Sequence, residues 1–257
     1  MRIVLFTINE LDFAPVLLEP VINRFADQII ASYVSNTLFN SKALRRRAWF
    51  FFRNGYPWCI RGDDWLRFAK QKVLSSKSRP NCRSMSEYLR NKGLREVQSI
   101  LEIRTQRTRN RLLSHQADVF LFCPFPQIAT PKFLAIPRVG TFNVHLGKLP
   151  EYRGGLSSFW VLRFGDTSAG ATFHEVDTKI DTGQIVDEVR FPVGTKSMKD
   201  LLYETCERAG PMVVRGLECI ERGDRTSIDP GCRPTGYYFF PAYHDFRDFY
   251  RRGCRLV

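Results

Sequence analysis

Asn143 and His145 stand two residues apart at the end of an apolar run, Gly140-Thr-Phe-Asn-Val-His145, and Asp181 follows 38 positions after Asn143 in Lys179-Ile-Asp-Thr-Gly-Gln184. In a strand, residues i and i+2 share a face and are separated by roughly 6.6 Å along the chain. Asn143 and His145 therefore face one way, and Phe142 and Val144 face the apolar side. Asn is poorly suited to strand interiors, so its place beside a His at a strand end marks the pair as a candidate site. An Asn amide and an imidazolium can both donate to a developing oxyanion. A carboxylate beside the imidazole can stabilise its charge and help to relay a proton. An isolated Asn-x-His pair is also compatible with a hydrogen-bonded structural histidine. The sequel sharpens it: a Pro- and Gly-containing loop, Lys148-Leu-Pro-Glu-Tyr-Arg-Gly154, and then the acid in a tight turn.

These residues need a scaffold. Arg2–Thr7 reads as a buried strand, residues 11–25 as a helix shortened or kinked by Pro15 and Pro20, and residues 28–34 as a second strand. This β-α-β opening predicts an α/β fold: a Rossmann-like open, mostly parallel twisted sheet with helices on both faces. Further helices are expected over residues 84–92 (Ser84 and Glu87 forming a capping box), 104–116, 157–164 and 197–222, with strands over 118–123, 139–145, 171–176 and 184–193. In such sheets ligands bind beyond the C-terminal ends of the strands, which is where His145 falls. Residues 1–222 are expected to form one catalytic domain with a basic and aromatic insert near 40–80. Residues 223–257 read as an aromatic, irregular tail packed on it.

At this point the chain resembles the folate-dependent formyltransferase family, with its glycinamide ribonucleotide, methionyl-tRNA and sugar-amine members. The family pattern N-x-H-x-S-L-L-P-x-[YW]-R-G, followed some forty residues later by D-x-G, is met by Asn143, His145, Leu149, Pro150, Tyr152, Arg153, Gly154 and Asp181. The likeness is clear over about residues 117–195. It implies the formyltransferase fold and transfer of a formyl group from 10-formyltetrahydrofolate to an amine, with Asn143, His145 and Asp181 catalytic and no metal. It also implies a folate site against Pro124, Phe125 and Ile128 and the turn carrying Asp177 and Thr178, although Phe125 and Ile128 also read as ordinary core. Lys148, Tyr152 and Arg153 are the candidate acceptor contacts. His174 reads as a packed strand residue or, at best, as one that supports the catalytic residues from behind.

The chain departs from the family in two places. S-L-L-P becomes Gly147-Lys-Leu-Pro150, losing a hydroxyl and gaining a cation that either meets an anionic substrate or faces solvent. The first turn, Thr7-Ile-Asn-Glu-Leu11, lacks the Gly-rich phosphate loop of the glycinamide ribonucleotide enzyme. The methionyl-tRNA enzyme carries a further C-terminal domain, for which too few residues follow position 222. The expected acceptor is an anionic small-molecule amine, an amino sugar linked to a nucleotide or lipid. A tRNA-directed enzyme, a formyltetrahydrofolate hydrolase and a non-catalytic binding protein stay open as alternatives, and nucleic acid is not the expected partner.

Composition bounds the rest. The 257 residues carry a net charge of +13, with the positive excess mostly in the first 135 residues: Lys42–Arg47, Arg67–Arg83 and Arg104–Arg111. Such runs are either solvated helix faces or an anion-attracting surface. The mixed segment 42–58 leaves open a packed arm, a peripheral membrane contact or a specificity insert. Seven scattered cysteines with no C-x-x-C pair signal neither a disulfide framework nor a zinc site. No apolar run reaches the roughly 20 residues of a membrane span, so a soluble, cytoplasmic protein is expected.

Overall fold

The structure is a computed structural model that describes residues 1–36, 80–224 and 226–257; the basic and aromatic segment 42–58 lies outside them. The described residues build one seven-stranded sheet. Its strands are β1 (Ile3–Ile8), β2 (Ile29–Ser35), β3 (Val97–Ile100), β4 (Val119–Phe122), β5 (Gly140–His145), β7 (Ser168–Glu175) and β8 (Ile185–Pro192), in the order β3-β2-β1-β4-β5-β7-β8. The first five are parallel, and β7 and β8 are antiparallel to their neighbours. A separate two-stranded parallel ladder joins β6 (Arg153–Gly154) to β9 (Tyr237–Tyr238).

Alternation along the central strands covers both faces of the sheet, as a mostly parallel sheet requires. Ile3 and Leu5 of β1, with Val119 and Leu121 of β4, pack on α1 (Ala14–Phe25) and the long helix α6 (Met198–Glu221) through Leu17, Val21, Val213 and Leu217. Val4, Phe6, Phe120 and Phe122 point the other way, onto Tyr33, Leu112 of α3 (Gln106–Ser114) and Phe133 of α4 (Pro131–Leu134). Each such fully buried side chain contributes about 1.5–3 kcal/mol.

The elements start where local chemistry allows. Helix α1 begins at Ala14, three residues later than the sequence suggests. Pro15 occupies its first turn, and the Glu10 carboxylate accepts from the N–H groups of Asp12, Phe13 and Ala14. Helix α2 (Met85–Asn91) has the expected Ser84 cap, whose Oγ accepts from Glu87 N at 3.2 Å. The return bond of Glu87 goes to Arg83 N, one residue earlier than in a capping box.

Two elements differ from the sequence reading. Strand β3 is short and carries Gln98 and Ser99, so it lacks an apolar signal. The tail is not irregular throughout: residues 243–251 form helix α7, started by Asp245, whose carboxylate accepts from Ala242 N at 2.9 Å. Helical spacing puts Phe246 and Phe249 on one side, packed on Phe159 and Trp160 of α5 (Ser157–Phe164), with the Phe159 and Phe249 rings stacked at 4.7 Å.

Candidate active site

Strand β5 carries Asn143 and His145 to the C-terminal edge of the sheet, where a cleft of about 550 Å³ opens. Antiparallel pairing with β7 sets His174 opposite Asn143 and Thr172 opposite His145. The turn after β7 then brings back Asp181, which adopts the left-handed conformation at φ +50°. The three residues read from the sequence, Asn143, His145 and Asp181, all line this one cleft.

The histidine is held at both ring nitrogens. Nε2 lies 2.6 Å from the Tyr152 carbonyl; a carbonyl only accepts, so Nε2 donates. Nδ1 faces Asp181 Oδ2 at 3.5 Å, and that oxygen also accepts from Gly154 N at 2.8 Å. The ring is 7 % exposed and Asp181 14 %, so their interaction is screened far less than on a surface.

His174 is both of the things the sequence left open: a residue packed in strand β7 and a support for Asn143. Its Nδ1 donates to the Glu175 carbonyl at 2.8 Å, so Nε2 accepts from the Asn143 amide at 3.0 Å. Burial is the main reason its pKa lies well below the ordinary histidine value, and the neighbouring Asp181 opposes that only in part. A neutral His174 therefore orients the Asn143 amide, spending one N–H and leaving the other with Oδ1. The signal for it was the β5–β7 register, which a sequence does not display.

The loop after β5 corrects the acceptor assignments. Lys148 neither faces solvent nor offers a charge to a ligand: it is buried, and Nζ bonds Asp166 Oδ2 at 2.6 Å and Ser168 Oγ at 2.8 Å. The Tyr152 phenol is buried on Asp166, and burial followed by that carboxylate raises its pKa. Arg153 Nε lies 3.4 Å from the Gly236 carbonyl. None of the three side chains lines the cleft; Lys148 and Tyr152 are spent on Asp166, and Arg153 is half-buried with this one long bond. The hydroxyl absent at Gly147 has a spatial replacement, since a Cβ there would come within 2.4 Å of Ser157 Oγ, itself 3.4 Å from His145 Nε2.

Of the residues assigned to the folate, Pro124, Phe125, Ile128 and Asp177 line the cleft. Thr178 is exposed and does not. Phe125 also packs on Phe6 and Phe122, so one ring serves core and cleft together. Tyr237, Phe239 and Phe240 of the tail complete the lining. The tail is laced to the loop by Gly236 N to Pro150 O at 3.1 Å and Gly155 N to Tyr238 O at 2.9 Å, and by Trp160 Nε1 to Phe239 O at 3.0 Å. Among the described residues no His, Cys, Asp and Glu cluster could hold a metal, and no helix is long and apolar enough to cross a membrane.

Comparison with known proteins identifies the family and the fold. A family model described as formyl transferase matches residues 70–214. Methionyl-tRNA formyltransferase of Synechococcus sp. (strain JA-3-3Ab) is 33 % identical over 142 residues, which is 55 % of this chain and 44 % of that one. The chain thus spans less than half the length of that relative. Among solved structures, phosphoribosylglycinamide formyltransferase from Anaplasma phagocytophilum superposes with a TM-score of 0.61 at 15 % identity, covering 93 % of this chain and 98 % of that one. The N-formyltransferase from Helicobacter canadensis, in complex with folinic acid and dTDP-3-aminofucose, gives 0.58 at 17 %, covering 93 % and 71 %. At these identities the structures show a shared fold. With more than half of its length matched by the family model, and with Asn143, His145 and Asp181 of the motif lining one cleft, this chain belongs to the formyl transferase family.

Proposed function

We propose that this protein transfers the formyl group of 10-formyltetrahydrofolate to the primary amine of an amino sugar, carried on a nucleotide or lipid. The observation that carries the reaction is the convergence of Asn143, His145 and Asp181, with Nδ1 and Oδ2 3.5 Å apart, in the lining of a largely apolar cleft. Attack of an amine on a formyl carbonyl puts negative charge on oxygen. The free N–H of Asn143 donates to it, and a proton on His145 Nδ1 adds a cationic donor; loss of one such donor costs about 100- to 1,000-fold. Asp181 stabilises that imidazolium and accepts, through water, the proton that the attacking nitrogen releases; collapse of the intermediate then breaks the formyl C–N10 bond, and the same proton passes to N10 of the departing tetrahydrofolate. The donor's fit rests on the cleft itself. Pro124, Phe125, Ile128, Val176 and Ile180 supply apolar surface, and Asp177 with the 175–181 turn supplies polar groups for a heteroaromatic edge.

The acceptor is argued from three features. The start of α1, where a phosphate would find helix N–H groups, is already filled by the Glu10 carboxylate, which disfavours a ribonucleotide phosphate there. Lys179 is the one lysine or arginine among the described residues lining the cleft, so it replaces Lys148 as the contact for an acceptor's negative charge. The Helicobacter canadensis neighbour has an aminofucose nucleotide in its complex. A methionyl-tRNA acceptor is the second reading, favoured by the Synechococcus relative and by the net charge of +13.

The test is incubation with 10-formyltetrahydrofolate and a panel of amino-sugar nucleotides, with methionyl-tRNA alongside, reading mass gain on the acceptor. Formylated sugar supports the proposal, and formylated tRNA replaces the sugar reading by the second. Folate consumption without any formylated product would mean hydrolysis.

A further inference from the structure

Lys148 is one of the residues by which this chain departs from the family pattern, and it does not line the cleft. A buried lysine is costly unless its charge is paired and its donors are used. Here Nζ is 2.6 Å from Asp166 Oδ2 and 2.8 Å from Ser168 Oγ, and lies 5.5 Å from the centroid of the Tyr152 ring. The Tyr152 hydroxyl donates to the same Asp166 oxygen at 3.1 Å, and the other oxygen accepts from Ser168 N at 3.1 Å. Burial pushes the Asp166 carboxyl up, but the hydrogen bonds from Lys148, from the Ser168 N–H and from Tyr152 outweigh it and hold the group below its ordinary value. The cluster is a closed ion pair with a phenol attached.

Tyr152 is accordingly held at every polar group it has. Its hydroxyl is on Asp166, its ring is beside the Lys148 ammonium, and its amide donates to the Lys148 carbonyl at 2.8 Å. The remaining group, its carbonyl, is the acceptor 2.6 Å from His145 Nε2. We propose that Lys148 and Asp166 are positioning residues: by clamping Tyr152 through its phenol they fix the carbonyl that holds the His145 ring facing Asp181. The pair is part-buried, with Lys148 5 % and Asp166 28 % exposed, and such a pair is by itself weak evidence for stability. What distinguishes this one is that a single residue, Tyr152, connects it to the imidazole. The influence on rate rests on the formyl-transfer reading; the influence on the His145 ring does not.

The test uses the full chain labelled with 15N-histidine, which carries four histidines. His145→Gln assigns the Nε2–H signal. Tyr152→Phe keeps the ring and removes only the phenol hydroxyl. Lys148→Met/Asp166→Asn removes both charges together, so that neither is left unpaired. In both variants the His145 Nε2–H resonance moves or broadens, while the His115 and His174 signals stay in place. The kcat falls about 10- to 100-fold, the scale of a small misplacement in a site, and KM for the folate donor is unchanged. An unmoved His145 signal overturns the proposal, whatever happens to Tm. So does a moved signal with unaltered kcat in an active wild type. A wild type that formylates nothing would sink the formyl-transfer reading, and the resonance would still decide whether the clamp sets the ring.

Discussion

Asp181 Oδ2 lies 3.5 Å from His145 Nδ1, and the Gly154 amide, 2.8 Å from the same oxygen, holds it there. The carboxylate is thus aimed by the loop that follows the histidine. Asp181 sits at φ +50°, a conformation that Asn tolerates among the few non-glycine residues that do. Asp181→Asn therefore keeps the backbone and removes the charge. Its kcat/KM is expected to fall about 100- to 10,000-fold with Tm unchanged; near-normal turnover would show that the carboxylate has no part in proton transfer.

Asn143 and His174 act as one unit, because His174 Nε2 accepts from the Asn143 amide at 3.0 Å. Asn143→Ala is expected to cost about 100- to 1,000-fold in kcat, and His174→Phe less. Residues in one hydrogen-bond network are non-additive, so the double variant should be no slower than Asn143→Ala alone. Multiplying effects in a full kinetic cycle would mean that His174 acts independently.

Gly154 tests the lacing of the tail to the loop. It stands at φ +99°, and a Cβ there would lie 2.0 Å from the Tyr238 carbonyl. Gly154→Ala should lose about 1–3 kcal/mol from backbone strain alone, and more as β6 and β9 separate, with activity falling alongside. Gly155→Ala is the control, since nothing lies within 4 Å of its new Cβ. Equal denaturation midpoints for the two variants would refute the lacing.

Acid should weaken the fold through two histidines. His115 and His174 both have pKa values lowered chiefly by burial. The unfolded chain, with histidines near 6.5, therefore binds more protons as pH falls through that value. Stability is full above about pH 6.5 and is lost progressively below it, in the range where histidine is the side chain that ordinarily titrates. Tm measured from about pH 7.5 down to about pH 5 should decline. His115→Gln, which lies outside the cleft and replaces a group bonded to the Tyr33 hydroxyl at 2.7 Å, should flatten the decline. A Tm that rises on acidification would contradict the sign.

What the chain carried on its surface as text was local. Strand alternation, the Ser84 cap and the i, i+2 pairing of Asn143 with His145 depend on neighbours within a few residues, so periodicity and side-chain type reveal them. The Asp181 turn was legible because its motif spacing is itself sequential. Tertiary structure decided what depended on distant partners. Lys148 reads as a charge for solvent or substrate, whereas the fold buries it and pairs it with Asp166, 18 residues on. His174 joined the site through an antiparallel register, and the aromatic tail reached the cleft by pairing β9 with β6. Burial and register are properties of packed elements, and a side chain's charge or polarity takes its role from whichever distant group the fold sets against it.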